Sequence, residues 1–467
     1  MNKYKKLASN SVLFAIGNFG SKLITFVMLP LYTNKLSTSD FGLTDLVLTT
    51  VSLLLPIFSM SIGDSILRFG LEKNESKKGI FSNGLAVVIA GSILTIVFFP
   101  FFYLVNEKIA FYLVLLLIVQ LFQTLFSQFA KANDQINIFA LNGMLLSFVT
   151  AFWNFIFLVP LNMGIDGYLL SIIIANVISN VWLAIKVDSF RQFDKSLISK
   201  KKIKQMLYYS FPLIPNSVAL WATNAISRYF ILFFLGAAAN GLFAVAYKIP
   251  SMIGVLNTIF FQAWQLTVIE EYDSSNNSSF YTNVFGFYSR FLFLGVSGIL
   301  VILKPVMNIL VSRAFYESWE YIPFLLLTVV YSSFSTFFGN YYAASKETVK
   351  VLTTTAIGAV MNIFLLLLLI PIPFIGINGA GIASAISFFV IWIIRQKDTQ
   401  RFARTRFETK NILLNHSIFI MQILSLYLIE DSVKLFLIQI TLFILSIISN
   451  KKLFVPIIAL IKRRDSH

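Results

Sequence analysis

The sequence predicts an all-α integral membrane protein of about 14 transmembrane helices. Two observations predict this class: the composition of the chain and the spacing of its apolar segments. Of the 467 residues, 57% are hydrophobic and only 12% are charged, whereas a soluble globular protein has about 25% charged residues. The apolar residues fall into windows of roughly 20, the length that crosses a bilayer as a helix. The chain therefore carries apolar surface for lipid along most of its length.

Polar breaks separate these windows and set the predicted spans. The spans are 9–32, 42–65, 80–104, 109–130, 138–160, 166–187, 207–234, 241–268, 281–303, 321–343, 349–371, 377–396, 412–429 and 434–450. The segment after the last span is too short to cross the membrane, so we expect it to lie at the interface.

The basic residues predict the orientation of these helices. With a cytoplasmic amino terminus, five of the 37 Lys and Arg fall in outer loops, four fall inside spans, and the remaining 28 fall at cytoplasmic ends and loops. Cytoplasmic loops of membrane proteins carry such an excess of Lys and Arg, so both termini are predicted to be cytoplasmic. This bias also accounts for the net charge of +16 without nucleic acid, because basic loops meet anionic lipid head groups.

The composition excludes several kinds of chemistry. The chain has no cysteine, and its two histidines are His416 and His467. A thiolate or multi-histidine metal site and a Ser/His/Asp catalytic site are therefore not expected. The run "GNFGSK" (17–22) departs from the spacing of a phosphate-binding loop. We predict no cofactor, no metal and no catalytic residues.

Two short stretches recur and predict an internal repeat. "LSTSDFGL" (36–43) resembles "LGAAANGL" (235–242), and "GIDGYLLSIIIANVI" (164–178) resembles "GINGAGIASAISFFV" (376–390). Both pairs occur in the same order at similar shifts, which favours two parallel six-helix bundles with pseudo-symmetry and two extra helices. The predicted domains are an amino-terminal bundle (1–190), a basic cytoplasmic linker (191–206), a second bundle (207–397) and a carboxy-terminal region (398–467).

Polar residues recur at helical spacing on several predicted spans. On the first span, Asn18, Lys22 and Thr25 are four and three residues apart, which places them on one stripe. Polar stripes on apolar spans turn away from lipid toward a wet interior. The predicted polar lining of this interior is Asn18, Thr25, Thr49, Ser52, Asn224 and Ser227.

Charged residues inside the spans are mostly cations. The cations are Lys22, Arg228, Lys248 and Arg290. The acids are Asp45 and Asp64, which are the candidates for ion coupling. One such charge in lipid costs about 2.5–3.5 kcal/mol, so each is either paired with an acid or solvated in an anion-binding cavity, and both interpretations remain open.

The plan of six, six and two helices and two longer stretches of the sequence resemble a known family. The stretches are the opening "SNSVLFAIGNFGSKLITFVMLPLYTNKLSTSDFGLTDL" and the later "NIFLLLLLIPIPFIGINGAGIASAIS". This family is the polysaccharide transporter family of lipid-linked oligosaccharide flippases, in the multidrug/oligosaccharidyl-lipid/polysaccharide (MOP) superfamily that includes the MATE extruders. The resemblance implies a V-shaped pair of bundles around a central cavity. It further implies a multi-pass protein of the bacterial cytoplasmic membrane whose cargo is an undecaprenyl-diphosphate-linked oligosaccharide. Its expected partners are membrane lipids and the polymerase and chain-length or export proteins of the same pathway.

The sign of the intramembrane charges favours this cargo over others. Arg forks onto phosphate oxygens and Lys acts as a point charge for them, whereas an extruder of cationic drugs needs carboxylates. Three alternatives remain: a lipid II or teichoic-type flippase, a MATE-like multidrug extruder, and, as a different class, a membrane polysaccharide polymerase or ligase.

Overall fold

The structure, a computed structural model, describes residues 23–72, 74–105, 107–270, 277–345, 347–403, 405 and 408–454, and all regular structure in these ranges is helical. In chain order the α-helices are α1 (Leu29–Lys35), α2 (Thr38–Phe58), α3 (Ile62–Gly70), α4 (Lys77–Val97), α5 (Phe99–Val105), α6 (Glu107–Ala132), α7 (Ile136–Leu158), α8 (Gly164–Lys186), α9 (Ser189–Gln192), α10 (Lys200–Ser210), α11 (Leu213–Glu270), α12 (Asn277–Leu310), α13 (Ile322–Ala344), α14 (Thr348–Leu369), α15 (Asn378–Ala403), α16 (Thr409–Leu428) and α17 (Ser432–Ser449). Short 3₁₀ helices cover Lys195–Leu197, Arg313–Tyr321 and Lys451–Leu453.

Twelve segments of the described chain are long and apolar enough to cross a membrane. One of them, Ala225–Gln265, spans 41 residues and contains a break at Gly236 (φ 87°, ψ 177°). This break separates the seventh and eighth predicted spans. Most of the first predicted span lies outside the described residues, so the count of fourteen stays a prediction. The all-α membrane class is confirmed.

Several helices expose apolar side chains as lipid-facing helices do. Only 17% of the apolar window of α7 and 22% of those of α14 and α17 are buried. Because these windows are strongly apolar, water is not their solvent. Membrane lipid is the environment that accounts for them.

The prediction of one continuous helix over 42–65 is wrong near its carboxy-terminal end. The chain leaves helical geometry at Met60 and Ser61, whose φ angles are 52° and 49°, and α3 starts afterwards. Pro56 removes a helical N–H donor just before this break. The carbonyl of Met60, freed by the break, accepts a hydrogen bond of 2.7 Å from Ser210 Oγ on α10. A side chain of the protein therefore satisfies the backbone carbonyl at the break.

The chain forms two compact units, Met1–Ala244 and Val245–His467. In the first unit α8 packs against α6 and α7, and α3 packs against α6. In the second unit α13 and α14 pack against α15, and α16 packs against α17. The predicted bundle boundaries rest on the sequence repeat rather than on packing and stay a prediction.

The repeated Gly-Ile-x-Gly motif has the same local structure at both positions. Gly164 and Gly376 adopt positive φ angles of 56° and 49°, a conformation that only glycine adopts readily. A Cβ on Gly167 would lie 2.9 Å from Phe157 Cβ, and one on Gly379 would lie 3.0 Å from the carbonyl carbon of Leu369. The second glycine thus lets α8 and α15 each pack closely on the helix before it.

A side-chain hydrogen bond recurs with the motif. Ser171 on α8 donates to Asn154 Oδ1 on α7 at 3.0 Å. Asn362 on α14 donates to Ser384 Oγ on α15 at 3.2 Å. An Asn–Ser hydrogen bond therefore joins the two helices that flank the motif at both positions, with donor and acceptor exchanged.

Candidate functional site

Two glycines bring α2 and α11 into backbone contact in the first unit. A Cβ on Gly42 would lie 2.0 Å from the carbonyl oxygen of Ala237 and 2.7 Å from the backbone nitrogen of Gly241. Asn240, which is fully buried, donates from Nδ2 to the carbonyl oxygen of Gly42 at 2.8 Å. Gly42 and Gly241 are corresponding residues of the repeated octapeptide. The sequence repeat therefore places its two copies directly against each other.

Close to this contact lies a buried ion pair. Arg228 Nε on α11 donates to Asp45 Oδ2 on α2 at 2.6 Å, and the two side chains are 10% and 15% exposed. The guanidinium carbon of Arg228 also lies 5.9 Å from the ring centroid of Phe243. The structure thus brings together a predicted cavity cation and a predicted coupling acid, and the carboxylate neutralises the guanidinium.

The predicted polar lining near the pair is partly buried. Thr49 and Ser227 are buried, and the carbonyl oxygen of Thr49 accepts a 2.9 Å hydrogen bond from Trp221 Nε1. Ser52 is exposed and donates to the same carbonyl at 2.7 Å. Its hydroxyl therefore satisfies a backbone acceptor on its own helix, a common structural role for serine.

A hydroxyl contact that sequence reasoning missed ties the same two helices. Thr50 Oγ1 lies 2.6 Å from Tyr229 Oη. Tyr229 directly follows Arg228, and Thr50 lies five residues after Asp45. An aromatic residue beside an intramembrane cation was the only available signal, and it was weak because Tyr also serves as an ordinary membrane residue.

The other predicted residues lie elsewhere or outside the described chain. Thr25 and Lys248 are partly exposed, and Asp64 is exposed on α3. Lys248 belongs to the second compact unit. Asn18, Lys22 and the side chain of Asn224 lie outside the described residues. The roles predicted for all these residues stay predictions.

Arg290 lies beside the ends of α16 and α17. It is 7% exposed, and its Nη2 donates to Glu408 Oε2 at 2.5 Å. Glu408 is the residue before α16 and also accepts from Lys452 Nζ at 2.8 Å, just after α17. Hydrogen bonds from Lys452 and Arg290 lower the pKa of the Glu408 carboxyl. Arg290 therefore lies level with the ends of two transmembrane helices, on the predicted cytoplasmic side.

A third buried arginine of the described chain, Arg395 on α15, was not among the predicted site residues. It is 6% exposed, and its bonds run to hydroxyl and carbonyl oxygens of α13 and α14. Nε donates to Thr354 Oγ1 and Nη2 to Thr355 Oγ1, both at 2.9 Å, and Nη1 donates to the carbonyl oxygen of Ser335 at 3.1 Å. Gly339 leaves room for this head group, since a Cβ there would lie 2.7 Å from Nη1. Arg395 thus cross-links three helices of the second unit.

The fold is similar to solved structures of transporters. It resembles the lipid II flippase MurJ in an inward closed conformation, with a TM-score of 0.69 and 15% identity, over 96% of this chain and 100% of that chain. It also resembles a MATE protein in complex with MaL6 (TM-score 0.61, 16% identity, 86% and 97% covered). A MOP superfamily transporter from Pyrococcus furiosus matches at a TM-score of 0.61 and 16% identity, with 85% and 96% covered. At these identities the likeness shows the fold alone, which this chain shares with those proteins.

The sequence comparisons identify the family of the chain. A model of the polysaccharide biosynthesis protein family matches residues 7–265, more than half of the chain, so the chain belongs to that family. It is also 24% identical over 265 residues to Lsg locus putative protein 1 of Haemophilus influenzae. That match covers 54% of this chain and 63% of the relative, less than two thirds of its length. The resemblance to the polysaccharide transporter family is confirmed.

Proposed function

We propose that this protein is a flippase for undecaprenyl-diphosphate-linked oligosaccharide repeat units. It moves them from the inner to the outer leaflet of the bacterial cytoplasmic membrane for capsule, exopolysaccharide or O-antigen assembly. Membership of the polysaccharide biosynthesis family supports this proposal, as does a fold similar to that of the lipid II flippase MurJ. Transport proceeds by alternating access around a central cationic site. Its partners are membrane lipids and the polymerase and chain-length or export proteins of the pathway.

The Arg228–Asp45 pair carries the assignment of cargo chemistry. A cationic-drug extruder needs a carboxylate that is open to its substrate, but Asp45 already accepts from Arg228 at 2.6 Å. A diphosphate is the opposite kind of ligand, because its oxygens compete with a carboxylate for the same guanidinium. The pair itself is neutral, so the preference for an anion rests on displacement of Asp45 from Arg228 by a diphosphate and on the excess of cations over acids in the predicted spans.

The pair also suggests how binding and release are coupled. Without cargo, Asp45 neutralises Arg228 and keeps an uncompensated charge out of the membrane, which is costly. A cargo phosphate replaces Asp45 as the anion beside Arg228, and Asp45 then takes up a proton or a cation. When the cargo leaves, Asp45 pairs with Arg228 again. Lys22 and Lys248 remain candidate cargo-binding cations on the sequence pattern alone, and Asp64 is a second candidate for ion coupling.

A translocation assay with two cargoes tests the proposed function. The purified full chain is reconstituted into liposomes with either a fluorescent polyisoprenyl-diphosphate oligosaccharide or a fluorescent lipophilic cation. A membrane-impermeant quencher then reports which leaflet or compartment the probe occupies. We expect protein-dependent movement of the diphosphate lipid alone. Movement of the cation alone would instead favour a multidrug extruder.

The chemistry of the head group distinguishes the remaining flippase alternative. A lipid II flippase discriminates for a peptide-bearing disaccharide, whereas a repeat-unit flippase accepts an oligosaccharide without peptide. Lipid II is therefore the competing cargo in the same liposomes. Faster translocation of lipid II than of the oligosaccharide lipid would replace the proposed cargo.

A further inference from the structure

The second unit contains a cavity whose lining is partly cationic and lies away from the Arg228–Asp45 pair in the chain. Its volume is about 530 Å³, and its polar lining includes Asn283, Ser289, Arg290, Glu408, Asn411 and Lys452. Among the described residues, the ionisable side chains of the lining are two cations and one acid, so this part of the lining carries a net positive charge. Cavities of this size are typical of small-molecule sites.

The cavity lies at one end of α16 and α17. Asn411 on the first turn of α16 donates to the carbonyl oxygen of Ser449, the last residue of α17, at 2.9 Å. Asn415 and Asn450 join the same ends, with Asn450 Nδ2 donating to Asn415 Oδ1 at 2.7 Å. Because α16 has 20 residues, it spans about 30 Å, so its first turn lies near a membrane boundary. The basic residues around this end predict the cytoplasmic boundary.

Arg290 is built into this cavity with hydrogen-bonding capacity left over. It is only 7% exposed, and within the described part of the chain its Nε has no hydrogen-bond partner. A Cβ on Gly286, one turn earlier, would lie 3.2 Å from Arg290 Nη1, so the absence of a side chain there makes room for the guanidinium. A buried, unsatisfied donor on a charged group is costly and indicates a missing acceptor.

The contacts of Glu408 show how an anion can bind between Arg290 and Lys452. One carboxylate oxygen accepts from Arg290 and the other from Lys452, so a single anion bridges the two cations. The Glu408 side chain is 48% exposed, so water competes for its bonds and the carboxylate can be displaced. Two oxygens of a phosphate group have the same bridging capacity and carry equal or greater charge.

We propose that this cavity binds the phosphate group of a lipid at the cytoplasmic membrane boundary, with Arg290 and Lys452 as its anchors and Glu408 as the competing internal anion. Phosphates of membrane lipids lie at this depth, and the aromatic side chains of Phe280, Phe285 and Phe287 line the same cavity. The phosphate belongs either to a phospholipid of the inner leaflet or to an isoprenyl-diphosphate cargo lipid. The proposal does not depend on flippase activity, because binding is measured without transport.

Binding of defined lipids to the delipidated full chain in detergent tests this proposal. The probes are phosphatidylglycerol, an isoprenyl diphosphate and inorganic phosphate, and native mass spectrometry or a fluorescent-lipid titration gives the affinity. We expect Arg290→Gln to weaken lipid binding at least about tenfold and Lys452→Gln to weaken it several-fold, since charged hydrogen bonds are lost. Lys451→Gln is the matched control, because Lys451 is exposed in the same turn and is not among the residues that line the cavity.

Glu408→Gln separates a binding site from a purely structural ion pair. Removing the internal anion leaves both cations for the lipid, so we expect lipid binding to become several-fold tighter. If the cluster only stabilised the fold, Glu408→Gln and Arg290→Gln would change stability without opposite effects on binding. Weaker lipid binding in Glu408→Gln would therefore overturn the proposal.

The choice of probe identifies the source of the phosphate. Preference for phosphatidylglycerol assigns the site to a phospholipid, and preference for the isoprenyl diphosphate assigns it to the cargo; either result supports a lipid-phosphate site. Inorganic phosphate binding as tightly as both lipids would contradict it. Equal lipid affinity in Lys452→Gln and Lys451→Gln would also contradict it, and Lys452 is exposed enough for its substitution to leave folding intact.

Discussion

Arg228 and Asp45 form a largely buried ion pair, so removing either partner alone leaves an uncompensated charge. We expect Arg228→Gln and Asp45→Asn each to lower the free energy of unfolding by about 3–5 kcal/mol, because each leaves one charge buried without its partner. The double variant should lose less than the sum of the single losses, with a coupling of about 0.5–3 kcal/mol. Reversible unfolding in mixed micelles measures all four states of this cycle.

An exposed pair serves as the control for this cycle. Arg191 and Asp188 lie 3.4 Å apart with side chains 85% and 50% exposed, and such a pair contributes about 0–1 kcal/mol. Strict additivity at Arg228 and Asp45, as expected for the exposed pair, would show that the buried contact is energetically unimportant.

Substitutions of Arg228 and Asp45 should affect the translocation rate to different degrees. We expect Asp45→Asn to retain more translocation of a diphosphate lipid than Arg228→Gln, since the cation is the residue that contacts the cargo in the proposed mechanism. Translocation rates are divided by the amount of folded protein in the liposomes. This amount is measured by size-exclusion chromatography after the liposomes are solubilised. Loss of transport in Asp45→Asn together with normal rates in Lys22→Ala and Arg228→Ala would make the proposed anion site wrong.

Arg395 is expected to be a stability residue rather than a transport residue. Arg395→Lys should lower the free energy of unfolding by at least about 2 kcal/mol, because one ammonium group cannot reach the oxygens of both α13 and α14 that the guanidinium fork contacts. Lys397→Met on the same helix is the control, since Lys397 is exposed and surface changes stay within about 0.5 kcal/mol. Equal thermal stability of the two variants would contradict the cross-linking role.

At the scale of helices, the contact between Gly42 and Gly241 is the most sensitive packing position of the first unit. A Cβ on Gly241 would lie 1.9 Å from the carbonyl oxygen of Thr38, and a backbone atom cannot move aside as a flexible side chain can. We expect Gly241→Ala to reduce stability by more than about 1–3 kcal/mol and to abolish translocation. Circular dichroism melting and the liposome assay measure both effects.

Gly254 on the same helix provides the comparison. A Cβ there meets nothing within 4 Å, so Gly254→Ala should be neutral or stabilising by about 0.5–1 kcal/mol through helix propensity. If Gly241→Ala melted at the temperature of Gly254→Ala, α2 and α11 would not be in the backbone contact described above.

Helix existence and order in the described chain could be predicted from the sequence, because most spans are apolar windows of about 20 residues between polar breaks. The ends of α6, α8 and α13 lie within about two residues of the predicted ends, which is ordinary boundary error. The break between α2 and α3 could not be predicted from Pro56 alone, since proline is tolerated inside membrane helices when other groups satisfy the freed carbonyls. Ser210, which satisfies Met60, is 150 residues away in the chain.

Pairwise partners of the charges were harder to predict than their positions. The sequence identified Arg228 and Asp45 separately, but only their placement on α11 and α2 brings them together. Glu408 lies 118 residues from Arg290, and no local pattern connects them. Arg395 was missed because it stands near a predicted helix end, where an arginine ordinarily reaches the lipid head groups.

At the scale of the whole molecule, the predicted topology follows from the distribution of Lys and Arg. The native chain has no cysteine, so single cysteines report accessibility without background. We expect a cysteine at Lys200 or Lys410, both exposed, to react with an impermeant maleimide only after the cell is opened. A cysteine at Phe374, which is 88% exposed in a predicted outer loop, should react in intact cells. The reverse pattern would contradict the orientation.

The charge of the cargo predicts that transport depends on the membrane voltage. A diphosphate carries about two negative charges, and one charge moving through 100 mV is worth about 2.3 kcal/mol. Outward movement from a negative interior therefore gains about 4–5 kcal/mol, provided that the cations of the central site stay near the midplane while the cargo moves. Cations that travelled with the cargo would cancel this gain.

Translocation of a fluorescent polyisoprenyl-diphosphate oligosaccharide under a controlled potential tests this account most directly. Liposomes containing the full chain are set to zero or to about 100 mV, interior negative, with potassium and valinomycin, and arrival in the outer leaflet is followed with an impermeant quencher. We expect protein-dependent translocation that is faster under the imposed potential than at zero and slower when the polarity is reversed. No translocation above protein-free liposomes would contradict the flippase assignment. Equal rates at all three potentials, with translocation rate-limiting, would contradict outward movement of a net negative charge.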